Sequence, residues 1–459
     1  MKLVWKSSPA LWTALLWGSA GAGPLLSTPP PDRVGRGEIV ELQFTKPVQS
    51  DLELVDAMGG RIRLTTRHST DTRKLWIDIP ATLPGGRYTM GLIGADKSLA
   101  PVTVLGDALP GRLLALVSAS SSWEAYARTL QHRGMSLLHW QPLQGQGVCS
   151  AVLVEVENND MPTSQALHQL ESIPGTLVGD IEILWTVDQV SLWDKQPPAL
   201  TLATVASDTT LQPDAGTGIT VAVLDTAIPP SMELGSRLLL GQRFISSIDQ
   251  PGVLPTHGQL VAERIAGQVS GVARAAQIFP LEVCDSEGYC PASKVVQGVC
   301  YALNQLNPMQ TVLNLSLGGE TPNRLVRSVL QYALARGAAV VSSSRGDAPD
   351  HFPAAESLSG QVTVGAVRIT QGRWQRIGYE ATSPSLVAPG HTDRSEVGGS
   401  SFSAALVSGA LAVLRAECPA NTPVQLKRML QTLAQRTMFR ESEAVGAGML
   451  TMPSTPACE

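Results

Sequence analysis

Three residues of this chain can be combined into one chemistry. Asp225 closes the apolar run Ile219-Thr220-Val221-Ala222-Val223-Leu224, and His257 opens the segment Gly258-Gln259-Leu260-Val261-Ala262. Ser401 stands where Gly398-Gly399-Ser400 runs into a small-residue apolar stretch that continues to Arg415. A serine hydroxyl is a weak nucleophile until a base removes its proton, and the base needs a third group to fix its tautomer and stabilise its charged form. Asp225, His257 and Ser401 supply those three roles. The glycine pair permits a tight turn. A serine in the first turn of a buried helix projects from a rigid element, beside N–H groups and a dipole end able to hold an oxyanion. Singly, each residue has a plainer explanation: Asp225 as a strand-end turn former, His257 as an ordinary helix-start histidine, Ser400 or Ser401 as a cap. Jointly those explanations would have to reproduce a three-part pattern by accident, so the triad is preferred.

The elements around these residues predict how they are positioned. From about residue 217, continuous apolar runs (Val312-Leu313-Asn314-Leu315-Ser316-Leu317, Ala338-Ala339-Val340-Val341) alternate with amphipathic helical segments at 260–266, 294–306 and 324–336. Buried strands alternating with helices predict a doubly wound, mostly parallel α/β sheet, with functional groups at the C-terminal strand ends. Upstream, residues 110–187 follow the order βαββαβ of a ferredoxin-like α+β unit, with strands at 113–117, 135–143, 151–156 and 178–187 and helices at 123–132 and 164–173. Residues 33–105 alternate polar and apolar in short runs separated by turns such as Met58-Gly59-Gly60, which predicts a small β-sandwich. Leu83-Pro84-Gly85-Gly86-Arg87-Tyr88 resembles bacterial immunoglobulin-like or copper-resistance-type sandwiches, but no His/Met cluster accompanies it, so a structural or docking module is expected.

Composition bounds the compartment and the partners. The chain has 459 residues, 43% of them hydrophobic and 16% charged, a globular balance with room for several domains. A net charge of −5 with no basic block argues against nucleic acid. Lys2 and Lys6, an apolar run over 10–17 and small residues to Gly23 have the form of an export signal, with cleavage after Ala20 or Ala22. The competing anchoring helix is too short to cross a bilayer. Six cysteines suit an oxidising compartment. Cys284 with Cys290, and Cys418 with Cys458, are the expected bridges. Cys149 and Cys300 are left over, Cys300 as a buried free thiol. A zinc site has no CxxC pair to support it.

Beyond the triad's order, the chain resembles the subtilisin-like serine proteases over about 215–450. Val221-Ala222-Val223-Leu224-Asp225-Thr226 is similar to the family's Asp motif. His257-Gly258 with Val261-Ala262, Ile265-Ala266-Gly267 and Gly271-Val272-Ala273 is similar to its His motif. Leu313-Asn314-Leu315-Ser316-Leu317-Gly318-Gly319 resembles its cleft strand, Val387-Ala388-Pro389-Gly390 the approach to the nucleophile, Gly399-Ser400-Ser401-Phe402-Ser403 the nucleophile motif, and Gly446-Ala447-Gly448 the closing glycine pair. The resemblance implies a secreted serine endopeptidase, made as a self-inhibited zymogen, that hydrolyses peptide bonds through an acyl-enzyme. The upstream unit would be its propeptide. The implied layout is a signal peptide (1–22), a Pro-rich linker (23–32), an immunoglobulin-like sandwich (33–106), a propeptide-type inhibitor domain (107–188), a linker that would hold the processing site (189–214), the protease domain (215–450) and a tail (451–459).

It further implies that Ser316, Leu317, Gly318 and Gly319 line one wall of the primary pocket and Ser343 and Ser344 another, the glycines leaving it open to larger apolar side chains. Polypeptide substrates and the chain's own propeptide-like domain are the implied partners. A monomer with no metal or other cofactor is expected; no Asp/Glu cluster for calcium is evident, and carbonyl sites are not legible in sequence. The chain departs from the family at Ala227, at Gln259-Leu260, at Phe402-Ser403 and at Ala404-Ala405-Leu406. The oxyanion asparagine is also missing: its position falls on Gly346, or on Asp347 with a one-residue shift, leaving the Ser401 N–H, a backbone N–H near Gly346 or the Ser344 hydroxyl as substitutes. Losing one such donor costs roughly 10²–10³ in kcat, a magnitude obtained on a member of this family. The alternative implied by these departures is a weak or inactive protease-fold protein that binds peptides or partners. An α/β-hydrolase would need a Gly-x-Ser-x-Gly elbow and the order Ser, Asp, His, which the chain lacks.

Overall fold

The structure, a computed structural model, describes residues 26–28, 30–56, 59–80, 82–83, 85–94, 98–158, 161–187, 213–245, 256–344, 351–370, 373–377, 384–390, 399–436, 439–440, 443–451 and 458. The expected signal peptide, the processing segment and Gly346 lie outside these residues. No described helix is long and apolar enough to cross a membrane.

Two small sheets come first. Strands β1 (Arg33–Gly35), β2 (Ile39–Gln43), β3 (Leu52–Asp56), β4 (Arg61–Arg63), β5 (Thr65–His68), β6 (Lys74–Asp78), β7 (Gly86–Leu92) and β8 (Ser98–Leu105) form a five-stranded sheet, β1-β8-β7-β3-β4, and a three-stranded one, β2-β6-β5. The alternating burial of β2 and β6 turns Val40, Leu42, Leu75 and Ile77 into one core between the sheets, together with Leu54 and Met90.

The next unit follows the expected βαββαβ order. It comprises β9 (Ala108–Val117), α1 (Trp123–His132), β10 (Met135–Pro142), β11 (Val152–Asn158), α2 (Thr163–Glu171) and β12 (Thr176–Val187). The antiparallel order β10-β11-β9-β12 is that of a split βαβ fold.

The larger unit is a doubly wound sheet. Its strands are β13 (Thr220–Asp225), β14 (Gln242–Arg243), β15 (Gln277–Glu282), β17 (Thr311–Leu315), β19 (Ala339–Ser343), β20 (Gln361–Thr370), β21 (Arg373–Arg376) and β22 (Leu386–Pro389), while the short β16 (Tyr289–Pro291) and β18 (Leu317–Gly318) of the same unit pair with β12 instead. The main order is β14-β15-β13-β17-β19-β20-β21, with β22 also on β20; all of these pairs are parallel except β20–β21. Helices α4 (Ala292–Gln305) and α5 (Arg324–Ala335) belong to the core on one face; α3 (His257–Ala266), α6 (Ser400–Glu417) and α7 (Pro423–Leu433) belong to the other. Strands β17 and β19 are buried at every position, which is why their apolar residues run consecutively (Val312-Leu313, Ala339-Val340-Val341) instead of alternating with exposed polar ones.

One strand joins the two larger units. The first part of β12 pairs with β9, while Leu184–Thr186 pair with β16 and Thr186–Val187 with Gly318–Leu317 of β18. Accordingly the core of the βαββαβ unit is continuous with the core under α4 and α5. Polar groups on β12 satisfy helix starts opposite: Asp180 accepts the Arg324 N–H at 2.6 Å, and Glu182 accepts the Ser293 N–H at 3.1 Å. Asp180 also bonds the buried Arg33, which ties in the sandwich.

All six cysteines are paired. Cys284–Cys290 and Cys418–Cys458 form as expected, with sequence separations of 6 and 40. Cys149 and Cys300 correct the expectation of two leftover thiols: they form a third disulfide across 151 residues, their Cα atoms 5.4 Å apart. The α4 face that carries Cys300 is apolar because it meets the upstream unit, and the two units close on each other at this point.

Glu182 makes this seam pH-sensitive. Burial outweighs its bonds from Ser293 and pushes its carboxyl from an ordinary 4.5 up to about 7. Below pH 4.5 the folded and unfolded chains are both protonated there and no penalty exists. Between 4.5 and 7 the unfolded chain ionises first, so stability falls as pH rises and levels off above about 7, a total of roughly 3 kcal/mol. Urea unfolding across this range should show a fall in parent stability that is flattened in Glu182→Gln; an identical slope in both would refute the assignment.

Candidate active site

The site is assembled where β13 ends and α3 begins. Asp225 is the last residue of β13 and is fully buried. A carboxylate in such a place needs donors, and its Oδ1 receives the Thr226 N–H at 2.7 Å and lies 2.8 Å from Nδ1 of His257. His257 is the first residue of α3 and is 7% exposed. Two threonines latch the elements together. Thr256 caps α3 by accepting the Gln259 N–H at 3.1 Å and donates its hydroxyl to the Ala227 carbonyl. Thr226 accepts the Gly258 N–H at 2.9 Å. Glycine is required at 258 because a Cβ there would lie 2.5 Å from the Thr226 carbonyl oxygen. The departures Ala227 and Gln259 thus sit within a helix start that is intact.

Ser401 lies in the first turn of α6 and is fully buried. Gly399 enters this helix at φ 151°, which side-chain-bearing residues rarely adopt. The Ser401 hydroxyl donates to the Ser316 carbonyl at 3.0 Å, and the Ser316 hydroxyl donates to the Ser401 carbonyl at 3.0 Å. Asn314 extends this network, its amide donating to the Ser316 hydroxyl at 3.0 Å and its oxygen accepting from Ser408 at 2.8 Å. These bonds hold α6 against β17, so the cleft strand and the helix bearing Ser401 are one rigid piece. Asn314 and Ser408 were not singled out from sequence; a polar residue inside an otherwise apolar buried element was the available signal.

Phe402 occupies the space between α3 and α6. Its ring centroid is 5.7 Å from that of His257, tilted by 40°, and the Arg264 guanidinium lies 4.2 Å from its centre. Arg264 is 7% exposed, and burial lowers it to about 10, still charged at neutral pH. Phe402, a departure from the family pattern, thus packs on Arg264 beside the imidazole.

The other expected site residues divide. Ser316, Leu317 and Gly318 lie together on the strand edge that meets β12. Ser343 and Ser344 are buried at the end of β19. His351, 4% exposed, donates its Nδ1–H to the Ser343 carbonyl at 3.1 Å. Its Cε1 and Nε2 lie 2.4 and 2.8 Å from where a Cβ on Gly318 would stand, so that glycine makes room for the imidazole. A Cβ on Gly319 would meet Asp107 and Trp185 of the upstream units. His351 escaped the sequence reading because it belongs to none of the motifs compared. Among the described residues no group of three or more His, Cys, Asp or Glu is placed to hold a metal ion.

Residues 216–448 match the model of the Subtilase family. The chain is 31% identical over 216 residues to a subtilisin-like protease of Coccidioides posadasii, covering 44% of this chain and 54% of that protein. It is 29% identical over 248 residues to subtilisin BL of Lederbergia lenta, covering 51% of this chain and 89% of the relative. Among solved structures, fervidolysin from Fervidobacterium pennivorans, a keratinolytic enzyme related to subtilisin, superposes with a TM-score of 0.56 at 20% identity, over 75% of this chain and 60% of that one, a likeness of fold. The chain therefore spans about half the length of the fungal relative. With the family model covering half of its residues, and with an aspartate, a histidine and a serine at the strand and helix ends described above, the chain belongs to the subtilase family of serine peptidases.

Proposed function

We propose that the chain is an exported serine endopeptidase, acting as a monomer on polypeptides and made as a precursor inhibited by its own 107–187 unit. The observation that carries this reading is the 2.8 Å contact between buried Asp225 and His257 beside the first turn of α6, where Ser401 lies. In this mechanism Ser401 exchanges its Ser316 partner for Nε2 of His257 and attacks the scissile carbonyl as the imidazole takes its proton. Asp225 holds the Nδ1–H tautomer and stabilises the imidazolium. The imidazolium then gives its proton to the leaving amine, and water hydrolyses the acyl-enzyme through the same base. The Ser401 N–H contributes to the oxyanion site. The donor expected near Gly346 has no side-chain amide, so turnover below that of a full oxyanion hole is expected, by roughly 10²–10³. Pairing of Thr186–Val187 with Leu317–Gly318 supports self-inhibition, because an added strand on this edge stands where a substrate strand would pair.

Expressed beside Ser401→Ala, the parent is expected to be cut within 189–214, giving two chains by reducing mass analysis, and to label with a fluorophosphonate. The variant should do neither. Two intact, unlabelled proteins would sink the peptidase reading and leave the covered cleft as a peptide-binding site. Gly258→Ala should lower kcat by roughly 10–10²-fold with little change in KM, because the added methyl group displaces the imidazole and leaves the substrate strand edge alone. An unchanged kcat would remove the α3–β13 approach from the mechanism.

A further inference from the structure

We propose that the Cys149–Cys300 disulfide makes the 107–187 unit a permanent, covalently held inhibitor, so that processing yields one two-chain molecule instead of a freed propeptide. The proposal rests on the reading of this protein as a self-processing peptidase.

The topology carries it. Cys149 lies in the short 3-10 turn Gly147–Ser150 between β10 and β11, and Cys300 lies in α4 of the doubly wound unit. The expected processing segment, 189–214, falls between them in the chain. Any cut there leaves the disulfide spanning the two fragments. Both cysteines are at most 1% exposed, and they sit in the core shared by the two units. Thr186 and Val187 of the inhibitory unit meanwhile pair with Gly318 and Leu317 of the cleft strand, two residues and one residue from the Ser316 carbonyl that accepts from Ser401. The sandwich closes the same side: Thr321 accepts the Gly106 N–H at 2.7 Å, and Asp107 accepts the Glu320 N–H at 2.6 Å. The N-terminal half is thus held at the cleft by pairing and at α4 by a covalent bond.

The consequence is one of concentration. A released inhibitor is diluted and can be degraded. A tethered one docks again from an effective concentration on the order of millimolar, whatever the protein concentration. Release would require thiol–disulfide exchange with a dithiol: one thiolate attacks a sulfur of the bridge, the S–S bond breaks, and the second thiol closes the reductant's own disulfide while both cysteines become thiols. A cavity of about 490 Å³ at the seam, lined by His139, Gln144, Arg243, Gln297, Cys300 and Tyr301, brings solvent space close to Cys300.

The tether can be tested without relying on the protein's own activity. A recognition sequence for a site-specific endoprotease is inserted between residues 195 and 205 of the full chain carrying Ser401→Ala, and the product is cut. Denaturing analysis without reductant should show one species, and with a phosphine reductant two. Two chains without reductant would overturn the tether whatever the activity. In the catalytically competent parent, peptide hydrolysis after processing should stay suppressed on 100-fold dilution and rise after reduction, while Cys149→Ser/Cys300→Ser should gain at least 10-fold on dilution alone. If parent and double variant gain equally on dilution, the cross-link does not sustain inhibition and the proposal fails. A covalent tether with no hydrolysis in any form would instead overturn the peptidase reading and leave the cross-link standing. Reduction of the folded parent supplies the same comparison should the cysteine variants fail to fold.

Discussion

A buried carboxylate facing a buried imidazole is the constraint on which the larger unit depends. Removing Asp225 from water is unfavourable unless its charge meets donors, and the Thr226 N–H and His257 are placed to meet it. That placement demands that β13 stop and α3 start within a few ångströms of one another. Much of the local sequence is explained by this demand: the two threonines that latch the elements, and the glycine at 258 that lets the helix start touch the strand end. The sheet order meets the demand from below, since β13 lies between β15 and β17 and cannot shift without breaking both ladders.

The second arm of the site is held by a different physics. Ser401 is positioned by a helix that is buried on nearly all sides and by a chain of hydroxyl and amide bonds from Ser408 through Asn314 and Ser316. Buried polar groups of this kind are costly when unpaired and rigid when paired. The network therefore specifies how α6 sits on β17 more strictly than apolar packing alone would. The Arg264–Phe402 stack fills the remaining space against His257.

The N-terminal half is built into the molecule instead of resting on it. Strand β12 belongs to two sheets, its carboxylates meet the starts of α4 and α5, and Trp185 donates its indole N–H to the Thr321 carbonyl at 3.1 Å from a fully buried position. Gly318 and Gly319 acquire a meaning here that motif comparison could not supply. They are small because His351, Asp107 and Trp185 pack against them.

The sequence by itself determined the α/β class and the βαββαβ order, and it placed Asp225 at a strand end and His257 and Ser401 at helix starts. These depend on local signals: period-two and continuous apolar runs, glycine turns, and helix starts next to Asp225, His257 and Ser401. It also indicated the two short-range disulfides, because close or tail-closing cysteines have few alternatives. Only the tertiary structure decided the rest. Six cysteines allow fifteen pairings, and the one that joins Cys149 to Cys300 across 151 residues exists because two cores merge, a fact no spacing records. His351 enters the cleft wall in the same way, carried there by the pairing of Phe352 with Gly319. Local pattern sets which elements form and where their reactive groups stand along them; long-range packing sets which of those groups meet.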